Sequence, residues 1–255
     1  MIRFAKSFRL PAAAVFGLTL AIVGPSTGQT VQAPIVIEDF EGYAVGEMPN
    51  LWKTNKGRSL VAADLNTMTP DHEFRIGADG TNRFARATMV DYAYRLIRMN
   101  GDGFDWRFDD HPVLSWRWRI HEAPTGARED DRKKNDVAAA VYVLFDRDWL
   151  GRPRSIKYTY SSTLPVGTRV SYGGLKVIVV GSAKDGDLGV WTRLERDVVR
   201  DYEEVFGRPF DRSHPIGISL FSDADDVPDG RAAADFDDLV VRSQFQDRQL
   251  TKDNR

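Results

Sequence analysis

Beyond residue 34 the apolar side chains fall mostly in short runs of five to nine, rich in Val, Ile, Phe, Tyr and Trp and separated by Gly, Pro, Asp and Asn. Such runs are short for helices, and their β-branched and aromatic residues suit a pleated surface, so they predict strands joined by turns. Strands are expected near Ile35–Phe40, Arg83–Asp91, Val113–His121, Val137–Phe145, Ser155–Ser161, Leu175–Gly181, Val190–Leu194, Pro215–Phe221 and Ala234–Val241. An all-β chain of about nine strands buries its apolar faces by stacking two sheets. The expected fold class is therefore a two-sheet antiparallel β-sandwich, jelly-roll or concanavalin-like in type, with one or two short helices. Asp91–Arg98 (DYAYRLIR) reads as helix or strand. Val198–Phe206 is helical in pattern, because Val199, Tyr202 and Phe206 recur at helical spacing before Gly207.

The first residues have a different character. Arg3, Lys6 and Arg9 precede an apolar stretch, Leu10–Val23, which is the pattern of a secretory signal. About 14 apolar residues fall short of the roughly 20 that span a bilayer, and Gly24-Pro25-Ser26 follows without a basic flank. Cleavage after Gly28 is expected, leaving a linker at 29–34, one β-sandwich domain at 35–242 and a polar, disordered tail at 243–255. Losing the three cations takes the formal charge from −2 to about −5. A periplasmic or secreted location follows, with no membrane span after cleavage. The balance of 35 basic against 37 acidic residues holds no basic tract, so no nucleic-acid partner is implied. With no cysteine, a disulfide framework, a thiolate metal site and a cysteine nucleophile are all excluded.

VLSWRWRIH is the most informative strand. Alternation puts Leu114, Trp116, Trp118 and Ile120 on one face, and Val113, Ser115, Arg117, Arg119 and His121 on the other. The first face is core; the second is a solvated surface or the floor of a groove. In the next strand, Ala138, Ala140 and Tyr142 share a face. If the two strands pair as neighbours, the alanines leave room for a ligand beside Arg117 and Arg119, and Tyr142 forms a stacking wall. Tyr158 and Tyr160 add aromatic groups on the strand after that, as ligand contacts or as core. The charged segment 121–135 reads as solvated loop.

Acidic residues supply the remaining candidates. The chain begins its sandwich with IVIEDFEGY and ends it with AADFDDLVV. This resembles jelly-roll carbohydrate-binding modules, whose similar end strands pair at a sheet edge and share a calcium ion. The resemblance implies Glu38, Glu41, Asp237 and Asp238 as ligands of a structural calcium, because a hard cation requires clustered oxygens. Without an ion, the same acids protect an edge strand. Asp223, Asp225 and Asp226 follow the ISLF strand and suit a cation, sugar hydroxyls or Asx turns. Glu195, Asp197 and Asp201 offer paired carboxylates at spacings compatible with glycoside hydrolysis, although Arg193, Arg196 and Arg200 are ready ion-pair partners and Asp197 is placed to cap a helix. No nucleophile elbow, phosphate loop, zinc-binding helix or dinucleotide fingerprint occurs.

Taken in order, PVLSWRWRI, a charged loop, NDVAAAVYVLF, WTRLERDVVRDYEEVFG, PIGISLFSDADD and FDDLVV resemble an exported bacterial family known as domain of unknown function 3047, from about Ile35 to Val241. The resemblance implies a secreted β-sandwich and supplies no mechanism. The expected function is binding of a glycan or cell-envelope polymer across a polar sheet face, with Arg117, Arg119, Tyr142 and Tyr158 as ligand contacts. One alternative is a glycan-cleaving enzyme, hydrolase or lyase, on the same scaffold, using Asp136, Asp201 or Asp223. The other is an envelope module that binds protein.

Overall fold

The computed structural model describes residues 32–57, 59–147, 151 and 153–245. The signal-like segment, the proposed cleavage point and most of the polar tail lie outside the described residues. Among the described residues fourteen strands occur, in the order β1 (Ile35–Glu38), β2 (Lys53–Lys56), β3 (Ser59–Ala62), β4 (His72–Asp79), β5 (Asn82–Val90), β6 (Ala93–Met99), β7 (Val113–Glu122), β8 (Val137–Arg147), β9 (Pro153–Ser161), β10 (Arg169–Tyr172), β11 (Leu175–Ser182), β12 (Trp191–Asp197), β13 (Gly217–Asp223) and β14 (Arg231–Arg242). One α-helix occurs among the described residues, α1 (Val198–Phe206), and it follows β12. The strands form a six-stranded sheet, β12-β7-β14-β5-β4 with β1 also paired to β14, and an eight-stranded sheet, β10-β11-β9-β8-β13-β6-β2-β3. Only β9 and β11 run parallel; the other pairs are antiparallel. This is the expected β-sandwich.

All nine expected strands are present, and five more join them. KTNK, SLVA, HEFRIGAD and RVSY are short or polar, so hydrophobic pattern alone does not mark them as strands. The fifth, β6, resolves DYAYRLIR as strand, with Tyr94 and Leu96 turned into the core. The helix forms where its periodicity placed it. Asp197 caps its start by accepting from the Arg200 amide at 3.0 Å, and Gly207 ends it in the left-handed region at φ +68°. Tyr202 anchors the helix among Phe145, Phe206 and Phe210, with centroids 4.4–4.9 Å apart.

Leu114, Trp116, Trp118 and Ile120 enter the core as alternation predicts, meeting Tyr158 and Tyr160 from the opposite sheet. The expected neighbours β7 and β8, however, are not paired: they belong to different sheets. Loop 123–136 bridges the sandwich between them, and it is not a free solvated connection. Ala127 and Glu129 are fully buried, and Thr163, Ser161 and Tyr172 donate to the loop. Crossing between sheets separates the two features that neighbour pairing would have joined. Arg117 and Arg119 lie outward on one sheet, and Tyr142 lies outward on the other.

A bulge in β8 refines that second face. Phe221 pairs with Ala140, but Asp223 pairs with Val137, so β8 carries one residue more than β13 between these points. The extra residue turns Val137 outward with Ala140 and Tyr142, and sends Ala138 into the main core.

Candidate functional site

The outer face of the six-stranded sheet carries a lattice of paired charges. Cross-strand register sets Arg119 opposite Asp235 and Arg117 opposite Asp237. Asp235 is fully buried and accepts from Arg119 at 2.7 and 2.8 Å, from Arg86 at 2.7 and 3.0 Å, and pairs with His121 at 2.7 Å. Arg119 also reaches Asp79 at 2.8 Å, and this hydrogen bond holds the Asp79 carboxyl below its ordinary range. Arg117 pairs with Asp237 at 2.5 Å and with Asp238 at 3.2 Å. Both guanidinium groups sit 4.7 Å from the Trp191 ring centroid. A ligand anion at Arg117 or Arg119 therefore competes with four aspartates already in place.

The acids expected to hold calcium are engaged by protein donors. Glu38 accepts from Arg98 at 2.9 Å, the Trp52 indole at 3.0 Å, the Tyr43 hydroxyl at 3.2 Å and the Phe40 amide at 3.1 Å. Glu41 accepts from the Arg83 amide, Asp237 from Asn82 and Arg117, and Asp238 from Arg193. Among the described residues, only Asp136, Asp223 and Asp225 form a group of three potential metal-ligating side chains, each with an oxygen within 4.8 Å of the others. The terminal acids do not converge in this way.

Two other expectations are corrected by burial. Tyr158 is no ligand contact: it is wholly buried and its hydroxyl donates to Asp201 at 2.9 Å. Alternation explains this, since Ile156, Tyr158 and Tyr160 point inward while Lys157 and Thr159 point outward. Asp201 is not grouped with Asp136 and Asp223. It is a buried partner of Arg196, which donates through both Nε and Nη2. The adjacent cavity of 540 Å³, between Phe108, Pro112, Phe210 and the first turns of α1, is lined by Asp197, which caps the helix, and Arg200, which pairs with Glu204.

The outer face of the eight-stranded sheet is built differently. Tyr142 sits between Lys157 on β9 and Ser219 on β13, and Phe221 sits between Ala140 on β8 and Arg95 on β6. The two rings meet edge to face at 5.9 Å. The Arg95 guanidinium carbon lies 4.4 Å from the Tyr142 centroid and 4.6 Å from that of Phe221. Lys157 Nζ lies 6.0 and 5.5 Å from the same centroids, and the residue is only 2% exposed. Tyr142 is only 4% exposed, so its ring supports a guanidinium and is not an open stacking wall. Among the described residues, neither cation has a hydrogen bond or an ion pair.

Acids converge beside these cations. Asp136, fully buried, accepts from the Asp226 and Val227 amides at 2.8–3.1 Å and so shapes the loop after β13. Burial pushes its carboxyl up. Asp223 is pushed up to about 8 by burial; Lys157 opposes the shift, and Asp136 and Asp225 add to it. Its Oδ1 has no hydrogen-bond partner. Glu129 is raised by burial as well; its Oε2 accepts from Ser161 at 2.6 Å and its Oε1 is unpartnered. The face thus combines two cations that have no ion-pair partner with buried carboxyl groups whose proton affinity burial raises.

The family model described as "Protein of unknown function (DUF3047)" matches residues 64–240. The chain belongs to the DUF3047 family. A search of curated protein sequences returns no match. Among solved structures, this DUF3047 protein is similar to a non-crystalline cellulose specific carbohydrate-binding module, CBM28, with 12% identity, TM-score 0.34, and coverage of 65% of this chain and 78% of that one. It is similar also to CBM27-1 of Caldicellulosiruptor saccharolyticus in complex with mannohexaose, with 11% identity, TM-score 0.37, and coverage of 84% and 100%. The family 11 xylanase from Neocallimastix patriciarum matches with 12% identity, TM-score 0.33, and coverage of 78% and 98%. None of the three lends this DUF3047 protein a ligand or an activity. No helix among its described residues is long and apolar enough to cross a membrane.

Of the residues expected from sequence, the structure brings together Asp136, Asp223 and Tyr142. Arg95, Lys157, Phe221 and Glu129 were not singled out. A signal for Lys157 was present in RSIKYTYS, where a cation stands on a strand whose alternate residues are core.

Proposed function

We propose that this protein binds a glycan, such as a polysaccharide or envelope polymer, on the outer face of the eight-stranded sheet. The observation that carries this reading is the contrast between the two sheets. On the six-stranded sheet Arg117 and Arg119 are matched to acids; on the eight-stranded sheet Arg95, Lys157, Asp223 Oδ1 and Glu129 Oε1 have unused hydrogen-bonding capacity. Sugar hydroxyls both donate and accept, so they can engage cations and carboxyls together. The signal-like N-terminus supports placing this binding outside the cytoplasm. A glycan-array screen of the mature protein tests the reading. Binding lost in Arg95→Ala and kept in Arg117→Ala is the expected result; binding lost only in Arg117→Ala moves the site to the other sheet, and no binding by the parent protein removes the reading.

Glycan cleavage at the same face is a second reading, favoured by Asp223, whose carboxyl remains protonated near neutrality beside Asp136 and Asp225. A protonated carboxylic acid near a carboxylate is the arrangement of general acid catalysis. Product analysis on every bound glycan separates the readings: turnover abolished by Asp223→Asn with binding retained supports cleavage, and binding without products rejects it.

A further inference from the structure

We infer that the ligand of this face is an anionic glycan, and that its carboxylate or other oxyanion is received by Lys157 and Arg95. The inference rests on the glycan reading above and names the chemical class that the site takes.

Lys157 carries the argument. It is 2% exposed, yet its ammonium has neither a hydrogen-bond acceptor nor an ion-pair partner among the described residues. Withdrawing most of an ammonium from water is unfavourable unless an anion compensates it, and attraction to the Tyr142 and Phe221 rings offsets only part of that loss. Arg95, half-buried, lies against the same two rings, also with no carboxylate at ion-pair distance among the described residues. The nearby carboxyls do not complete the balance. Glu129 and Asp223 feel the Lys157 charge without approaching to ion-pair distance, and burial raises the proton affinity of both. Arg86, Arg117 and Arg119 on the opposite sheet, by contrast, all have carboxylate partners.

An oxyanion on a sugar would supply the missing partner. A guanidinium fork packed against aromatic rings can offer its N–H groups to a carboxylate or sulfate, and an ammonium beside it adds a point charge. Asp225 is exposed at the rim and can accept from the remaining hydroxyls. A neutral glycan would leave Lys157 unpaired.

Titration calorimetry with a uronate oligosaccharide, a sulfated oligosaccharide, a neutral oligosaccharide of equal length and inorganic phosphate tests this. Binding of the uronate at least about tenfold tighter than the neutral sugar, weakening as salt rises, is expected. Preference between the uronate and sulfated arms identifies the source of the anion. Lys157→Met, which keeps the buried volume, and Arg95→Leu are each expected to reduce that affinity by about tenfold or more, while Lys157→Met melts at or above the parent temperature because an unpaired buried charge is gone. Equal affinity for the neutral and anionic sugars, or an unchanged affinity in both variants, overturns the inference and leaves glycan binding standing. Phosphate binding with no sugar binding, or no binding in any arm, overturns both.

Discussion

Replacing Glu38 by glutamine should lower the melting temperature by about 10 °C, and the reason can be worked from its contacts. Glu38 and Arg98 are 7% and 8% exposed at the side chain, so their 2.9 Å pair is nearly free of solvent screening. The carboxylate also satisfies the Trp52 indole, the Tyr43 hydroxyl and the Phe40 amide, while Arg98 is further held by the Ile37 carbonyl. The amide of glutamine has one oxygen in place of two and no charge. It leaves a buried guanidinium uncompensated and sets an N–H donor against at least one of these donors. Breaking a buried pair in this way costs about 3–5 kcal/mol, and in a domain of this size each kcal/mol lowers the melting temperature by about 2–4 °C. Thermal melts of the parent, Glu38→Gln and the double variant Glu38→Gln/Arg98→Met provide the assay, with the double variant recovering part of the loss. A single-variant shift below about 2 °C, the range of an ordinary surface substitution, refutes the reasoning. The same melts with a chelator separate two roles for Glu38: bracing by calcium requires a chelator-induced fall of several degrees, whereas the protein donors seen here predict none.

Asp223 should make stability fall with rising pH. Its folded value is about 8 against an ordinary 3.8, so between these limits the folded state holds a proton that the unfolded state has released. The group's contribution is complete below about pH 4 and is lost as pH rises toward 8; Asp223→Asn should flatten denaturant-derived stability across pH 5–8, and an unaltered slope would show that Asp223 is not the titrating group. Asp201→Asn should destabilise by about 2–3 kcal/mol, because Arg196 loses its charged partner and Tyr158 keeps only a weaker acceptor. A variant that melts like the parent but loses glycan turnover would instead place Asp201 in the chemistry.

Legibility from sequence followed the range of the interactions. Trp116 and Trp118 were recognisable as core because alternation is a property of one strand, and the helix cap at Asp197 was recognisable because a cap is formed within a few residues. The bulge that turns Val137 outward, and with it the place of Asp136 beside Asp223, depends on how β8 pairs with β13. Nothing within either strand records that pairing. Lys157 looked ordinary for a related reason: a lysine on a strand is unremarkable until its burial and its lack of a partner are known.

The sequence by itself determined the all-β character, the inward face of β7 and the absence of cysteine chemistry, because period-two patterning and residue type act locally. Only the tertiary structure decided that β7 and β8 lie in different sheets, that Arg117 and Arg119 meet aspartates from β14, and that Arg95 and Lys157 share two aromatic rings with no carboxylate at ion-pair distance. Charge compensation and burial are sums over neighbours in space, and strands far apart in the chain supply those neighbours.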